Sequence, residues 1–136
     1  MDMIYHYSPK ITGNELKYIK KSIKEGWICL GSNIEKFENK IKNYLNIKYS
    51  VAVNSGTAAL HLSLILSNVK SGDEVIVPSL TFISPVNTIR YCGANPIFMD
   101  SDEFFNLDEE KTIEFIKKNT YFKNGFTHNK KTHKKI

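Results

Sequence analysis

The chain has 136 residues, 41% hydrophobic and 24% charged, a composition that is not typical of disordered or membrane-embedded proteins. No apolar run approaches the roughly 20 residues that cross a bilayer, and residues 1–6 carry no export signal, which predicts a cytoplasmic protein without a membrane partner. The net charge of +5 comes from residues 117–136, which hold seven of the 19 Lys and Arg residues and no acid. This segment lacks interleaved stacking aromatics and any nucleic-acid-binding motif, so we expect no nucleic-acid partner.

Two amphipathic helices are predicted at the start of the chain. Thr12-Gly-Asn-Glu15 and Ser32-Asn-Ile-Glu35 have the spacing of capping boxes, in which a hydroxyl and a carboxylate satisfy the first amides of a helix. Apolar residues at helical spacing follow each of them, and Gly26 is expected to end the first helix. We therefore interpret residues 1–48 as an N-terminal helical segment.

Alternating strands and helices are predicted over residues 49–119. Strands are expected at 49–54, 74–78 and 96–100, and helices at 56–67, 82–92 and 108–119. The strand cores are apolar at successive positions, which indicates strands covered on both faces. The pattern predicts an α/β fold with a parallel sheet, a βαβαβα core preceded by two helices. Residues 120–136 are predicted to form a polar basic tail, with Ile136 as the first residue of a further strand.

A phosphate site is predicted where the first strand meets its helix. Ser55-Gly56-Thr57-Ala58 brings backbone amides, two hydroxyls and the positive end of a helix dipole to one place. An ordinary helix cap is the alternative, since Ser and Thr are common capping residues. The segments after the other two strands, 79–82 and 100–102, also fall at the carboxyl ends of parallel strands, where ligands bind in such sheets. This convergence favours the phosphate interpretation.

The order of these motifs resembles the N-terminal third of the DegT/DnrJ family of nucleotide-sugar aminotransferases. The resemblance rests on Ser55-Gly-Thr-Ala-Ala-Leu60, Gly72-Asp-Glu-Val75, Pro78-Ser-Leu-Thr-Phe82 and Gly93-Ala-Asn-Pro96, and it extends from about Tyr5 to Ile136. Members of this family are pyridoxal-phosphate enzymes of the aspartate-aminotransferase fold, which is fold type I. The resemblance thus implies that residues 1–136 are an incomplete large domain that binds pyridoxal 5'-phosphate in the intact enzyme.

The resemblance also implies roles for particular residues. The turn of Ser55, Gly56, Thr57 and Ala58 would bind the cofactor phosphate, and Phe82 would stack on the cofactor ring. Leu30, Gly31 and Ser32 match a loop near the substrate sugar. The implied function is amination of a keto nucleotide sugar, expected to be a UDP-4-keto sugar, for bacterial surface glycans. Glutamate would be the amino donor and a homodimer the active form.

Two features of the family are missing from this sequence. The family's covalent cofactor lysine lies in a later serine-containing loop, and the acid that faces the pyridinium nitrogen lies in a Glu-Asp-x-Ala motif; neither motif occurs here. We therefore expect no catalysis by this chain alone. The main interpretation is an N-terminal aminotransferase fragment, and the alternative is a non-catalytic phosphate-binding or assembly element of the same fold. An unrelated nucleotide-binding α/β domain is disfavoured because both nucleotide-binding glycine loops are absent.

Overall fold

The computed structural model describes residues 7–29 and 31–136. The chain divides into two compact units, Met1–Ala52 and Val53–Ile136. The division falls inside the segment predicted as the first strand, whereas the sequence analysis placed it after residue 48. Leu30, one of the predicted substrate-loop residues, lies outside the described residues.

The first unit contains two helices, α1 (Glu15–Glu25) and α2 (Ser32–Leu45). Each helix is followed by a residue in the left-handed conformation, Gly26 (φ 74°) and Asn46 (φ 52°) respectively. This geometry lets the amides that follow the helix bond to its last carbonyls. Among the described residues of this unit none is fully buried, so the unit forms its helices without a core of its own.

The predicted capping boxes do not form. The residue that caps α1 is Asn14, and the one that caps α2 is Gly31, and neither provides a side-chain hydrogen bond to its helix. Because α1 begins at Glu15, the carboxylate of that residue accepts from the amide of Gly13 (2.8 Å) and does not reach Thr12. Ser32 is already the first helical residue of α2 and therefore cannot act as its cap.

The second unit contains the parallel sheet. Its first five elements are α3 (Gly56–Leu66), β1 (Glu74–Pro78), α4 (Ile83–Tyr91), β2 (Asn95–Met99) and α5 (Glu109–Asn119). Strands β1 and β2 pair in parallel over their full lengths, from Glu74 opposite Asn95 to Pro78 opposite Met99. Helix α4 is the crossover between the two strands. The predicted α/β fold with parallel strands is therefore confirmed.

The core of the second unit lies between β1 and α4. Val77, Ile89 and Ala94 are at most 3% exposed, and partly buried apolar residues surround them, namely Leu64, Val69, Val75, Val86 and Cys92. Helix α3 contributes Leu64 to this cluster and packs beside α4. The core thus fixes both helices against the sheet, and the starts of these two helices carry the predicted cofactor residues.

The prediction of a strand at 49–54 is wrong. Within the described residues this segment pairs with no strand, although its sequence is apolar and β-branched. The amide of Ala52 donates instead to the Glu38 carboxylate (2.8 Å). A strand needs a neighbouring backbone to satisfy its amides and carbonyls. For the Ala52 amide, the Glu38 side chain supplies the acceptor in place of such a backbone.

The segment predicted as a polar basic tail contains regular structure that the sequence analysis did not predict. Residues 120–129 form an antiparallel hairpin of β3 (Thr120–Lys123) and β4 (Phe126–Asn129). Its turn residues, Asn124 (φ 52°) and Gly125 (φ 82°), both have the positive φ that a two-residue type I′ turn requires. Ile136, predicted to begin a further strand, lies beside this hairpin and donates its amide to the Thr127 carbonyl (2.9 Å).

The hairpin is attached to the amino end of β1. The amide of Glu74 donates to the Lys135 carbonyl (2.7 Å), and the Asn129 side chain donates to the buried Glu74 carboxylate (2.8 Å). The Lys135 ammonium pairs with Asp73 at 2.7 Å, and both side chains are largely shielded from water. These contacts occupy the amino end of the strand and leave its carboxyl end to the candidate site.

Candidate functional site

The candidate site begins at the N-terminus of α3. Ser55 has extended backbone geometry, and its hydroxyl accepts a hydrogen bond from the Ala58 amide (3.1 Å), as a helix cap does. The first backbone bond of the helix runs from the Ala59 amide to the Ser55 carbonyl (3.1 Å). The amides of Gly56 and Thr57 precede this bond, and the first amides of a helix have no acceptor within it. They are therefore the donors that this turn can offer to an anion.

Open space adjoins these amides. A Cβ at Gly56 would meet no atom within 4 Å apart from the adjacent backbone. The backbone conformation of Gly56 is not one that excludes other residues, so steric access is what distinguishes glycine here. A side chain at this position would occupy the space through which a ligand approaches the backbone. The turn thus has both the donors and the access that an anion needs.

The second part of the site lies at the carboxyl end of β1. The chain leaves this strand at Pro78, and the Ser79 amide donates to the Met99 carbonyl of β2 (2.7 Å). After this bond the chain reaches Phe82, which precedes the first residue of α4 and provides no side-chain cap. The Phe82 ring is 77% exposed. Its faces are therefore available for stacking, in contrast to the faces of a core phenylalanine.

A hydrogen bond joins the two parts of the site. The Thr57 hydroxyl donates to the Ser84 hydroxyl at 3.0 Å, and both residues are half-buried. Thr57 lies in the first turn of α3 and Ser84 in the first turn of α4, two residues after Phe82. The structure therefore brings the predicted turn of Ser55, Gly56, Thr57 and Ala58 to the same end of the unit as Phe82. No local sequence pattern indicates Ser84, because its partner Thr57 lies 27 residues away in the chain.

The predicted substrate-loop residues lie in the other unit. Gly31 precedes α2 with φ 145°, and a Cβ there would lie 3.1 Å from the Trp27 Cβ, so this position favours glycine. Together with Ser32 and Asn33, these residues line a cavity of about 90 Å³. The Asn33 side chain also donates to the Ser22 hydroxyl (2.9 Å). These residues therefore line a small pocket of mixed polar and apolar character within the first unit.

A charged cluster follows β2 at the same edge of the sheet as Phe82. The Lys111 ammonium lies 2.6 Å from the Asp100 carboxylate and 3.3 Å from that of Asp108. The hydrogen bond from the Lys111 side chain holds the pKa of Asp100 below its ordinary value, and the bond from the Lys111 amide does the same for the pKa of Asp108. Both carboxylates raise the pKa of Lys111 in return. This pairing offsets negative charge that would otherwise oppose an anion at this edge.

An α/β unit with an accessible helix N-terminus at the carboxyl edge of parallel strands is typical of enzymes that bind a phosphorylated ligand. The sequence model of the DegT/DnrJ/EryC1/StrS aminotransferase family matches residues 9–124, and the chain belongs to this family. The family is dependent on pyridoxal phosphate, so the expected family and cofactor class are confirmed.

The curated relatives are considerably longer than this chain. It is 47% identical over 103 residues to the GDP-perosamine synthase of Escherichia coli O157:H7, an alignment that covers 75% of this chain and 28% of that protein. The GDP-perosamine synthase of Vibrio cholerae is 39% identical over 120 residues, with 87% of this chain and 33% of that protein covered. The chain therefore corresponds to about 30% of the length of such relatives.

Solved structures show the same fold. The PMP-form of protein Spr1654 from Streptococcus pneumoniae superimposes with a TM-score of 0.72 at 33% identity, over 78% of this chain and 27% of that one. A DegT DnrJ EryC1 StrS aminotransferase from Brucella abortus gives a TM-score of 0.70 at 32% identity, over 75% and 28% of the two chains. In the described part of the present chain, no helix is both long and apolar enough to cross a membrane.

Proposed function

We propose that this chain is the N-terminal, phosphate-binding part of a pyridoxal-phosphate-dependent aminotransferase that acts on a keto nucleotide sugar in bacterial polysaccharide biosynthesis. Membership of the family and the names of the curated relatives support the reaction class. The observation that carries the proposal is the Thr57–Ser84 hydrogen bond, because it joins an anion-binding helix start to the helix that begins beside an exposed aromatic ring. A phosphorylated aromatic cofactor needs both features at one place.

The residues present fit the two ends of this cofactor. The amides of Gly56 and Thr57 would bind its phosphate, and Ser55 would hold the turn in shape through its bond to the Ala58 amide. The exposed ring of Phe82 would stack on the cofactor ring. When bound, the cofactor supplies the electron sink for amino transfer, and this chain would bind and orient it.

We propose that this chain only binds and orients the cofactor, and that catalysis needs additional polypeptide. The sequence has no Glu-Asp-x-Ala motif and no lysine in the family's later loop. Leu30, Gly31 and Ser32 would contact the sugar in the complete enzyme, with glutamate as amino donor and the cytoplasm as the site of reaction. The resemblance of the motifs implies UDP as the nucleotide, whereas the names of three curated relatives favour GDP. The nucleotide can be determined with a polypeptide of the relatives' length, by comparing its kcat/KM for UDP-linked and for GDP-linked keto sugars.

The proposal is tested by binding of pyridoxamine 5'-phosphate, measured by isothermal titration calorimetry. This form of the cofactor has an amine in place of the aldehyde, so it cannot react with surface lysines. We expect saturable binding that Thr57→Val weakens by about 1 kcal/mol or more, because the hydroxyl bond that holds the first turn of α3 beside α4 is lost at nearly constant side-chain size. Absence of binding, or equal affinity in the variant, would contradict the proposed site.

The activity of the chain alone provides a separate test. Incubated with glutamate and a 4-keto nucleotide sugar, the chain is expected to give no amino sugar above a control without protein. Turnover by this chain, with contaminating host enzyme excluded by a Thr57→Val sample purified in parallel, would refute the assignment of catalysis to further polypeptide.

A second candidate function is assembly with another chain. Val51, Leu60, Leu62 and Leu66 are 40–84% exposed, as are Leu16, Ile19 and Ile23 of α1 at 56–61%. Apolar surface of this extent favours association, and we propose a homodimer or a complex with a longer relative. Light scattering should then give a mass above the 15.6 kDa of one chain, whereas a monodisperse monomer would exclude self-association.

A further inference from the structure

We propose that the hairpin of β3 and β4, together with the lysines at its two ends, is a docking surface for an anionic lipid membrane. This surface lies at the amino end of β1 and uses none of the residues assigned to the cofactor. The sequence led us to expect no membrane partner, since no apolar run is long enough to span a bilayer. Contact with the surface of a membrane does not need such a run.

Charge is separated between the two ends of the second unit. Residues 117–136 hold seven lysines and no acid, whereas residues 53–116 hold nine Asp and Glu residues against three Lys and Arg residues. The acids include Asp100 and Asp108 at the carboxyl edge of the sheet, and helix α5 leads from there to Asn119, where the hairpin begins. An anionic surface would therefore attract the hairpin end of the unit and repel the edge that carries the candidate site.

Contacts at the end of α5 bring the basic residues together. The Lys130 amide donates to the Asn119 carbonyl (2.8 Å), and the Lys130 ammonium donates to the Lys118 carbonyl (2.6 Å). These bonds place the segment that follows β4 against the last turn of α5, which contains Lys117 and Lys118. Lysines from two segments of the chain thus lie at one place on an ordered backbone.

Most of these lysines have no acidic partner. Among the described residues, the structure gives an ion pair to two of the seven, Lys118 with Glu114 and Lys135 with Asp73. The side chains of the other five are exposed, namely Lys117, Lys123, Lys130, Lys131 and Lys134. The segment contains no arginine, the residue whose planar donors suit bidentate recognition of one phosphate or one base. Its charge therefore fits a diffuse anionic surface.

An exposed aromatic ring lies beside the turn of the hairpin. Phe122 is 75% exposed, and Lys123 separates it from the turn residues Asn124 and Gly125. Surfaces that bind membranes combine an apolar side chain, which enters the boundary of the acyl chains, with lysines that stay among the lipid headgroups. The hairpin thus supplies the apolar contact as well as the charge.

The other aromatic residues argue against a single-stranded nucleic acid as the partner. Such ligands stack successive bases on free aromatic faces. Tyr121 stacks instead with His128 (ring centroids 5.4 Å apart), and the Lys135 ammonium lies 5.1 Å from the centre of the Phe126 ring. Within the described residues, these contacts leave Phe122 as the ring of the hairpin that has neither an aromatic nor a cationic neighbour. One such ring does not make a series of stacking positions.

The test measures co-sedimentation of the full chain with vesicles of phosphatidylcholine, either pure or with about one third phosphatidylglycerol. Lys131→Gln/Lys134→Gln removes two charges from the proposed surface. Lys17→Gln/Lys20→Gln is the matched control, because it removes the same charge from exposed positions of α1. Phe122→Ser removes the apolar contact, and circular dichroism melting monitors folding of each variant.

We expect the chain to bind the anionic vesicles at low salt and not the neutral ones. A lysine close to an anionic surface contributes about fivefold to partitioning, so Lys131→Gln/Lys134→Gln should weaken binding by about tenfold or more. The control pair on α1 should weaken it by less than about twofold, since charges far from the surface are screened. Phe122→Ser should weaken it by about tenfold, because burial of the ring is lost.

A tryptophan in place of Phe122 reports directly on the apolar contact. Trp27 is the single tryptophan of the sequence, so Trp27→Phe/Phe122→Trp leaves one reporter, at the hairpin. Its emission should shift to shorter wavelength when anionic vesicles are added. Tyr44→Trp in the same Trp27→Phe background, at a position of α2 that is 86% exposed, is the matched control and should show no shift.

Three outcomes would overturn the proposal. Equal binding to neutral and anionic vesicles would mean that the lysines have no role. Equal losses in the two lysine pairs would mean that net charge, and not this surface, attracts the chain. Tighter binding to a single-stranded DNA oligonucleotide at the same salt, with no effect of Phe122→Ser, would assign the lysines to a nucleic acid instead. None of these results bears on the cofactor site, which lies at the other end of the unit.

Discussion

The two units of the chain differ in how far their apolar side chains are buried. Helix α1 carries Leu16, Ile19 and Ile23 on one side, and all three are more than half exposed. In the second unit, by contrast, Val77 and Ile89 are at most 3% exposed because α4 packs against β1. The helices α1 and α2 are amphipathic, whereas α3 is apolar on most sides. The comparison shows that an amphipathic pattern is enough to predict a helix, whereas burial needs an opposing surface from another segment of the chain.

This difference bears on where function can reside. The predicted cofactor residues belong to the unit that has a core, and a hydrogen bond between distant positions holds Thr57 against Ser84. Binding sites require side chains fixed by their surroundings. The first unit offers the pocket at Gly31, whose walls come from a short stretch of the same unit. The second unit is therefore the better preorganised of the two for binding a cofactor.

The largest expected effect comes from truncating one isoleucine in each unit. Ile89→Ala should lower the free energy of unfolding by about 2–5 kcal/mol, because it leaves a cavity in the only core cluster seen in the described residues. Ile23→Ala in α1 should change it by less than about 0.5 kcal/mol in the monomer, at protein concentrations too low for the proposed association, since that side chain is 61% exposed in the single chain. Urea unfolding at fixed protein concentration measures both.

The outcome that would break the comparison is an equal loss in the two variants. It would mean that the face of α1 is covered in solution, for example by a second copy of the chain. Ile89→Val, expected to cost about 0.5–1.5 kcal/mol, provides a milder variant if Ile89→Ala does not fold.

A smaller effect is expected where the hairpin meets β1. Asn129→Ala removes the amide that donates to the buried Glu74 carboxylate, and an unsatisfied buried acceptor costs about 1–3 kcal/mol. Asn39→Ala, at an exposed position of α2, is the matched control and should stay within about 0.5 kcal/mol of the wild type. Hydrogen exchange should also show faster exchange of the Glu74 amide in Asn129→Ala only. Unchanged exchange there would mean that the hairpin does not depend on this contact.

The sequence predicts the second unit's helices and both parallel strands within one or two residues, since apolar runs of strand or helix length are separated there by turn and capping residues. Prediction from the sequence fails where a segment's structure depends on contact with a distant segment of the chain. Residues 49–54 have the composition of a strand, but pairing cannot be read from composition. The hairpin was missed for a different reason. Asn124-Gly125 is a strong type I′ signal, but the many lysines of residues 117–135 give this segment the composition of a charged tail and not that of a hairpin.

The candidate site likewise contains residues that the sequence predicts and one residue, Ser84, that it does not. The turn at Ser55–Ala58 is predictable because strand, small polar residues and helix follow one another in the chain. The position of Phe82 near this turn follows from the general rule that ligands bind at the carboxyl ends of parallel strands. Ser84 could not be predicted, because its contact with Thr57 arises only when α3 and α4 pack side by side.

The smallest expected effect concerns pH and the charged cluster after β2. Lys111 lowers the pKa of Asp100 through its side-chain hydrogen bond and that of Asp108 through its backbone amide. A carboxyl group whose pKa is lower in the folded state stabilises the fold above its unfolded pKa, and this contribution is lost as the pH falls through the folded value. The raised pKa of Lys111 has the opposite sign, so its contribution is lost as the pH rises through its folded value. The melting temperature of the wild type should therefore decrease as the pH drops below about 4, and it should decrease again as the pH rises above about 10.

Lys111→Met should flatten both limbs of this profile, since it removes the side-chain partner of the two carboxylates. Part of the acid limb should remain, because the Lys111 amide still donates to Asp108 (2.9 Å) in the variant. Lys117→Met, at an exposed position of the same helix α5, should lower the net charge equally without changing the shape of the profile. Salt at 1 M should reduce the difference between the two variants, because exposed charges are screened. An identical flattening in both variants would show that net charge, and not the cluster at Asp100, causes the pH dependence of the second unit.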